Sequence, residues 1–455
     1  MVFSSLEFLL YFFPIFFILY GLTPDRHKNL TLLAGSLVFY ALGERGYLWL
    51  LVVSVAVNYC VGCFVGADIK FKKIQTLVWY LAMAGNVGIL LAFKMPMRQA
   101  AIPLGLSFYT FRILSRLIDI RRGEVRADRS FVRFATYVTM FPQMISGPLT
   151  DYGEVSADLS HRRMSARSIQ NGLKLFTLGL AAKVLLADKV GLLWNDVQVR
   201  GIESVSTPLA WMGAIAYSLK IYFDFAGYSL MAAGLGAMMG FHVPENFRTP
   251  YMARSVRDFY RRWHITLGQW FRKYVYIPLG GNRRGELCTV RNLLIVWALT
   301  ALWHGGRGNF LIWGMLIWIL IVLERQVQSL RERRHPKETV GAGLQLLSRL
   351  YLWIVIPITW MCFAITDVGE LGTYLGRMFG AAPVGVVMAN DWRAAWDRFG
   401  VLLLICGLSC TSLVRKVFHR WKDSLIGSVV LAVLFWLCVR CILLEGDNPF
   451  LYSNF

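Results

Sequence analysis

The sequence predicts an all-α polytopic membrane protein. Its 455 residues are 56% hydrophobic and only 16% charged, which is too apolar for a soluble chain of this length. The apolar residues occur in continuous runs rich in Leu, Val, Phe and Trp, not in the alternating pattern of a membrane β-barrel. We therefore predict about 11 to 12 membrane-spanning helices. No repeat or linker divides the chain, so residues 1–455 are assigned to one domain.

About twelve apolar runs are the predicted spans. They are residues 6–22, 30–42, 47–65, 77–93, 102–118, 172–193, 209–241, 290–303, 310–323, 350–365, 401–413 and 426–443. Basic clusters follow every second run, at 25–28, 70–73, 121–122 (with 162–167 in the same connection), 248–284, 331–337 and 415–422. Because basic loops are retained in the cytoplasm, the N-terminus is predicted to lie outside. These loops explain the net charge of +21 without a nucleic-acid partner, since no nucleic-acid-binding module is evident.

Residues 131–149 are predicted to form a broken segment and not a span. The run is apolar but contains Pro142 and the pair Gly147-Pro148, which interrupt a helix. It also lies between two basic stretches that are both predicted to be cytoplasmic. Non-helical backbone is tolerated at membrane depth only where protein or a water cavity satisfies it. We therefore expect a re-entrant or buried segment that forms one wall of a cavity.

The segment 248–284 combines basic and aromatic side chains and is too polar to cross a membrane. This combination is typical of the bilayer interface, so one or two helices are predicted to lie along the inner leaflet, in contact with membrane lipids. A second explanation is a binding surface for the phosphates of an acyl donor, either coenzyme A or the phosphopantetheine of a carrier protein. The candidate donor-binding residues are Arg261, Arg262, Arg272 and Lys273.

Three ionisable side chains in or beside apolar helices are candidates for chemistry. Asp224 lies within an apolar run, where a carboxylate either bonds to a neighbouring helix or has a functional role, in which it lines the active-site cavity or orients a basic group. His304 ends another apolar run, and His264 lies in the basic aromatic segment. Histidine has the unperturbed pKa best suited to proton transfer near neutral pH. Residues 258–304 are therefore predicted to be the catalytic segment. The alternative for His304 is a histidine that only bonds to a neighbouring helix. The alternative for His264 is an anchor at the membrane interface.

Motifs of several other enzyme classes are absent from the sequence. It contains no G-x-S-x-G elbow, no H-E-x-x-H motif and no Walker motif. The eight cysteines do not combine with histidines at zinc spacing, so we predict buried structural thiols, no metal site and no permanently bound cofactor. A histidine base without a protein nucleophile suits direct acyl transfer from a thioester to a hydroxyl. A proton-coupled transporter or flippase, in which buried His and Asp relay protons, is the alternative from another class.

Several strings occur in the order found in one family of membrane enzymes. They are residues 103–111, 141–143, 146–148, 183–188, 222–228, 244–247, 258–265, 276–283, 302–305 and 449–452. Together they make the chain resemble the membrane-bound O-acyltransferase family, and within it the bacterial branch of alginate O-acetyltransferase membrane subunits. The resemblance extends over nearly the whole chain.

The resemblance implies a helical fold around a transmembrane tunnel in the cell inner membrane. His304 matches the essential histidine of the family's W-H-G motif, and His264 matches another frequently catalytic position. The implied reaction moves acetyl from cytoplasmic acetyl-CoA to hydroxyls of an exported alginate-like or cellulose-like polysaccharide, directly or through an extracytoplasmic acetyltransferase partner. The alternatives within the family are D-alanyl transfer from a carrier protein toward teichoic acid, and O-acylation of peptidoglycan or a lipid-linked sugar.

Overall fold

The computed structural model describes residues 1–95, 102–334, 341–381, 387–388 and 390–446. Within these residues the secondary structure is helical, without a β-strand. The predicted all-α class is therefore confirmed. The predicted family string at 449–452 and the last three residues of the basic cluster 331–337 lie outside the described residues.

The described residues form two compact units. The first comprises Met1–Ala181, Gly227–Glu245 and the residues from Leu431 onward, and the second comprises Ala182–Ala226 and Asn246–Val430. The helices up to residue 181 are α1 (Phe13–Leu22), α2 (Lys28–Gly43), α3 (Leu48–Gly66), α4 (Lys72–Lys94), α5 (Leu106–Arg122), α6 (Phe131–Thr139), α7 (Phe141–Met144), α8 (Tyr152–His161) and α9 (Ala166–Ala181). The assignment of one domain to the whole chain stays a prediction.

The remaining helices begin after a π-helical turn at Ala182–Ala187, which follows α9 directly along the chain. They are α10 (Asp188–Arg200), α11 (Thr207–Met238), α12 (Val256–Arg262), α13 (Ile265–Phe271), α14 (Glu286–Trp303), α15 (Gly308–Arg334), α16 (Ala342–Ala364), α17 (Val368–Met378), α18 (Asp391–Ser409), α19 (Ser412–Trp421) and α20 (Leu425–Glu445). Two further π-helical turns lie at Glu7–Phe12, before α1, and at Arg272–Tyr276, after α13.

Six described helices are long and apolar enough to cross a membrane: α3, α4, α14, α15, α16 and α20. The pair α18 and α19, bent by 72° at residues 410–411, makes seven if it counts as one span. Several other predicted spans fold into shorter helices, such as α2 with 16 residues and α5 with 17. At about 1.5 Å per residue, these helices are shorter than the ~30 Å thickness of the hydrocarbon core. The predicted number of 11 to 12 spans therefore rests on the apolar runs alone.

The segment predicted to be broken is broken and buried. In the first unit α6 ends at Thr139, α7 covers only four residues, and the chain from residue 145 to 151 is irregular. Neighbouring side chains bond to the interrupted backbone: Arg112 Nη1 donates to the carbonyl of Tyr137 (2.6 Å), and the Phe141 N–H donates to Ser36 Oγ (3.1 Å). Because these bonds replace helical ones, they lower the cost of burying an irregular chain at this place.

In the second unit, α14 packs against α15, and α15 packs against α16. The first contact is close at Gly314, where a β-carbon would lie 2.9 Å from the carbonyl oxygen of Trp297. Only glycine permits this approach of the two backbones. The approach matters for function because the chain turns at the end of α14, where one of the two candidate histidines lies.

All eight cysteines are free thiols in the structure, as predicted. Cys362, Cys406, Cys410 and Cys438 are buried. Cys63, Cys288 and Cys441 are half-buried, and Cys60 is exposed, so the expectation of buried thiols is wrong for Cys60. Cys60 lies on α3, one of the helices that are suited to cross a membrane. Its thiol would therefore face the apolar interior of a bilayer and not water.

Candidate active site

His304 lies at the C-terminal end of α14, where the chain reverses direction. Its backbone N–H still donates to the carbonyl of Thr300 (3.1 Å), so the residue is held by the last turn of the helix. Gly305 and Gly306 follow with φ values of 128° and 63°, which L side chains rarely adopt. The two glycines end α14 and allow α15 to begin at Gly308. The W-H-G string therefore encodes a tight turn that fixes the position of the histidine.

Four aromatic rings surround the imidazole of His304, which is 6% exposed. Their centroids lie at 4.4 Å (Trp303), 4.9 Å (Phe363), 5.3 Å (Trp313) and 5.9 Å (Phe310) from that of the imidazole. The rings come from the ends of α14, α15 and α16, so three helices together restrict the imidazole. Such an enclosure excludes water and strengthens any hydrogen bond that the imidazole makes to a substrate.

One buried polar atom near this cage, Asn309 Oδ1, has no hydrogen-bond partner within the described part of the chain. The indole N–H groups of Trp313 and Trp360 interact with the hydroxyls of Tyr260 and Tyr251, respectively. The same Asn309 side chain donates through Nδ2 to the carbonyl of Cys362 (3.1 Å), which fixes its orientation. Buried polar atoms nearly always have a partner. Asn309 Oδ1 therefore marks a position where a polar group of a substrate could bind beside His304.

His264 adopts a strained backbone conformation, with φ of 45°. This left-handed region is uncommon for residues other than glycine, and such strain concentrates at functional sites. The residue precedes α13, is 5% exposed, and packs edge-to-face against Phe225 at 4.7 Å. The strain is maintained because the next residue is tied down: the Ile265 N–H donates to the backbone carbonyl of Asn246 (2.9 Å).

Asn246 orients the ring of His264, and the sequence did not single it out for this role. Its Oδ1 accepts from Thr266 Oγ1 (2.9 Å), from the Thr266 N–H (3.2 Å) and from His264 Nδ1 (3.1 Å). Since an amide oxygen only accepts, Nδ1 carries the proton and Nε2 carries the lone pair that can accept a hydrogen bond. The only sequence signal was the place of Asn246 in the family-like string at 244–247.

Burial lowers the pKa of His264 to about 3. The imidazole is therefore neutral near pH 7, because desolvation disfavours its charged form. A base with so low a pKa accepts a full proton poorly but can still accept a hydrogen bond through Nε2. The environment of His264 thus favours a positioning role for this residue in the reaction.

The two histidine segments contact one continuous aromatic cluster within the second unit. Trp263 packs on Trp360 (4.9 Å between centroids), and Trp360 packs on Trp313 (6.1 Å), which contacts His304. His264 and His304, which the sequence singled out in separate segments, are therefore brought to the same aromatic core. Their catalytic roles stay predictions.

The four predicted donor-binding cations differ in their surroundings. Arg262 is half-buried and its Nε donates to Asp258 Oδ1 (3.0 Å), whereas Arg261 and Arg272 are exposed and make no ion pair within the described residues. Lys273 Nζ lies 5.0 Å from the ring centroid of Tyr274. Of the three arginines, Arg261 and Arg272 are therefore the ones whose guanidinium groups are accessible to a donor.

A carboxylate from α15 fixes the start of the segment that carries these cations. Glu324 accepts from the N–H groups of Val256 (2.7 Å) and Arg257 (3.2 Å) at the beginning of α12. Ser255 Oγ accepts from the Asp258 N–H (3.0 Å) and completes the cap. These bonds satisfy donors that a helix leaves free at its first turn, and the negative charge suits the helix dipole.

Asp224 is bonded to a neighbouring helical segment, the first of its two predicted environments. Lys183 Nζ lies 2.9 Å from Asp224 Oδ1 and 2.5 Å from Asp188 Oδ1. Lys183 and Asp224 are both buried, at 3% and 2% exposure. A buried lysine between two carboxylates compensates charges that would otherwise be costly, and it joins α11 to the turn before α10. The pairing gives Asp224 a structural role, and it also fits the expectation that Asp224 orients a basic group, here Lys183.

The chain matches a family model over residues 46–365, and that family is described as MBOAT, membrane-bound O-acyltransferase. The chain belongs to this family. As a family member with several apolar helices, it is a multi-pass membrane protein and an O-acyltransferase. The turn that holds His304 and the strained segment that holds His264 both lie inside the matched region.

Relatives in the membrane-bound O-acyltransferase family carry names that refer to different acceptors. "Probable alginate O-acetylase AlgI" of Pseudomonas aeruginosa is 38% identical over 383 residues, which is 80% of this chain and 72% of that protein. "Peptidoglycan O-acetyltransferase" of Helicobacter pylori is 31% identical over 528 residues, covering 100% of this chain and 98% of that protein. "Teichoic acid D-alanyltransferase" of Bacillus subtilis is 26% identical over 234 residues, covering 48% of this chain and 58% of that protein.

Proposed function

We propose that the chain moves an acetyl group from cytoplasmic acetyl-CoA across the cell inner membrane to hydroxyls of an exported polysaccharide. The observation that carries this proposal is the position of His304, buried in an aromatic cage at a glycine turn of a family member. Relatives named as O-acetylases of alginate support acetyl as the group that is moved. An extracytoplasmic acetyltransferase completes the transfer where the polysaccharide itself is not admitted to the membrane site.

In the proposed reaction His304 is the general base. It takes the proton of the acceptor hydroxyl as that oxygen attacks the thioester carbonyl, and the imidazolium then returns the proton to the departing CoA thiolate. His264, neutral and oriented by Asn246, accepts a hydrogen bond from a substrate through Nε2.

The exposed guanidinium groups of Arg261 and Arg272 are proposed to bind the phosphates of acetyl-CoA. We expect the double variant Arg261→Ala/Arg272→Ala to raise the KM for acetyl-CoA about tenfold with little change in kcat, since binding is lost equally in ground and transition states. Steady-state kinetics of CoA release measure both constants. Lys416→Ala/Arg420→Ala is the matched control, because it removes two exposed cations from α19. An equal rise in KM in the control would show that the positive charge of the surface attracts acetyl-CoA non-specifically, and that Arg261 and Arg272 do not form a specific binding site.

The acetyl-transfer proposal is tested with purified protein in vesicles. Acetyl-CoA labelled in the acetyl group is supplied on one side, and free CoA and acetyl esters are measured with alginate, cellulose oligomers or peptidoglycan fragments on the other. Label that reaches an acceptor only in the presence of the protein supports the proposal. Consumption of a D-alanyl carrier protein, with acetyl-CoA left intact, would instead assign the reaction to the D-alanyl alternative.

Peptidoglycan is the second candidate acceptor. The observation that favours it is the relative from Helicobacter pylori, which aligns over the full length of this chain although its identity is lower than that of the alginate relatives. The same vesicle assay separates the two, because esters on muramic residues and esters on an exported polysaccharide are distinct products. A transporter or flippase is disfavoured by membership of an acyltransferase family.

A further inference from the structure

A large open cleft lies in the first unit, away from the residues assigned to acyl transfer. Its volume is about 1290 Å³, which is ample for the polar part of a ligand. It is bordered by the end of α3, the connection between α5 and α6, and α8. Its charged and titratable lining residues include Arg126, Arg129, Arg133, His161, Asp68 and Asp128. We refer to it as the arginine cleft.

Both acidic groups of the arginine cleft are already bonded to neighbouring residues. Asp128 is buried and accepts from Arg133 Nη2 (2.9 Å) and from the hydroxyl of Tyr152. Asp68 pairs with Lys72 at 3.2 Å. By contrast, the side chains of Arg126 and Arg129 are exposed and make no hydrogen bond or ion pair within the described residues. The cleft therefore presents two guanidinium groups that pair with no carboxylate of the described chain.

A third arginine, Arg116, is buried directly behind Tyr152, which lines the cleft. Arg116 is 3% exposed, and its guanidinium carbon lies 4.0 Å from the ring centroid of Tyr152, a lining residue of the cleft. Its Nη1 is buried without a hydrogen-bond partner in the described part of the protein. The nearby carboxylate of Asp128 bonds to Arg133 and Tyr152, and it attracts Arg116 electrostatically without a hydrogen bond to it, so its charge is shared among several partners. A buried cation in this state is costly, and an anion bound in the cleft would lower the cost.

The position of the cleft relative to the spans indicates which anion is within reach. The cleft includes Gly66, the last residue of α3, and α4 starts at Lys72. Both helices are suited to cross a membrane, so their junction lies where spans leave the bilayer. The basic clusters 70–73 and 121–122 beside it predict the cytoplasmic face. Phosphates of anionic lipid headgroups and of soluble cytoplasmic compounds are the common anions at that level.

We propose that the arginine cleft is a phosphate-binding site on the cytoplasmic face. Arg126 and Arg129 donate hydrogen bonds to the phosphate oxygens. The positive charge of Arg116, behind the Tyr152 ring, attracts the bound phosphate electrostatically. The phosphate belongs either to an anionic phospholipid headgroup or to a soluble phosphate compound. This proposal does not depend on the acyl-transfer reaction, because the cleft residues are separate from those assigned to it.

The test is a binding measurement on the full chain in detergent, with fluorescent phosphatidylglycerol as the probe. Wild-type protein is expected to bind it saturably, and Arg126→Ala/Arg129→Ala is expected to weaken binding about tenfold or more. Arg163→Ala/Arg167→Ala is the matched control, since it removes two exposed arginines of the same unit that do not line the cleft. The melting temperature of each variant shows that the exposed substitutions leave the fold intact.

Competition distinguishes the two sources of phosphate. Displacement by unlabelled phosphatidylglycerol but not by millimolar inorganic pyrophosphate assigns a lipid headgroup. Absence of saturable lipid binding, with a rise in melting temperature on adding pyrophosphate that is lost in Arg126→Ala/Arg129→Ala, assigns a soluble compound. The proposal is overturned if neither probe binds, if the cleft variant binds like wild type, or if the control loses as much affinity as the cleft variant.

Discussion

Replacement of His304 with alanine is expected to lower the rate of acetyl transfer at least ~1000-fold, toward the upper range for loss of a general base. The aromatic rings around the imidazole have no basic nitrogen, so none of them can take over its proton. His304→Asn, which keeps most of the volume and a polar side chain, is expected to be equally inactive. Release of free CoA, measured with a thiol reagent, reports the effect.

A matched substitution separates this loss from general damage. His419 is an exposed histidine on α19, and His419→Ala is expected to leave CoA release unchanged. Melting temperatures close to that of wild type would show that the His304 variants are folded. If folded His304→Ala released CoA at the wild-type rate, His304 would not be the base. If it instead kept a transport activity, the transporter alternative would gain support.

Local signals in the sequence predicted the parts of the fold that local chemistry decides. Pro142 and the pair Gly147-Pro148 predicted the break in residues 131–149, because proline and glycine act on the backbone wherever they lie. The glycines after His304 act locally in the same way, because they permit the positive φ values of the bend that ends α14. Continuous apolar runs predicted helices, although their lengths could not be read from hydrophobicity, since several ended before reaching the length of a span.

Contacts between distant residues could not be predicted in the same way. The cage of His304 requires Trp313 and Phe363 from two later helices, and no periodicity in the chain indicates which of its many aromatic residues will meet there. The bond from His264 to Asn246 joins residues 18 positions apart through an irregular connection. Arg116 carried no signal that its guanidinium would be buried against Tyr152. In each case tertiary packing, and not local propensity, decides the environment of the side chain.

Asn246 is the residue outside the predicted site whose substitution is expected to have the largest effect. Asn246→Ala removes the acceptor of His264 Nδ1 and of two donors on Thr266, so the imidazole loses its fixed orientation. We expect kcat to fall about 10- to 100-fold, as for a misplacement near 1 Å at a reacting group. Asn86→Ala is the matched control. Like Asn246, Asn86 is buried and makes side-chain hydrogen bonds, in its case to Asn58, but it lies in the first unit. It should lose stability while kcat is unchanged.

The pH dependence of Asn246→Asp tests whether Asn246 acts through His264. A carboxylate in this place still accepts from Thr266, so the loop is retained, but its charge favours the protonated imidazole and raises the pKa of His264 from the value of about 3 that burial imposes. Because the reaction needs the neutral ring, activity should then be lost at a higher pH than in wild type, and the acidic limb of the profile should move toward neutrality. A variant with reduced kcat but an unshifted limb would show that Asn246 supports the loop alone, and that the orientation of His264 is not what limits the reaction.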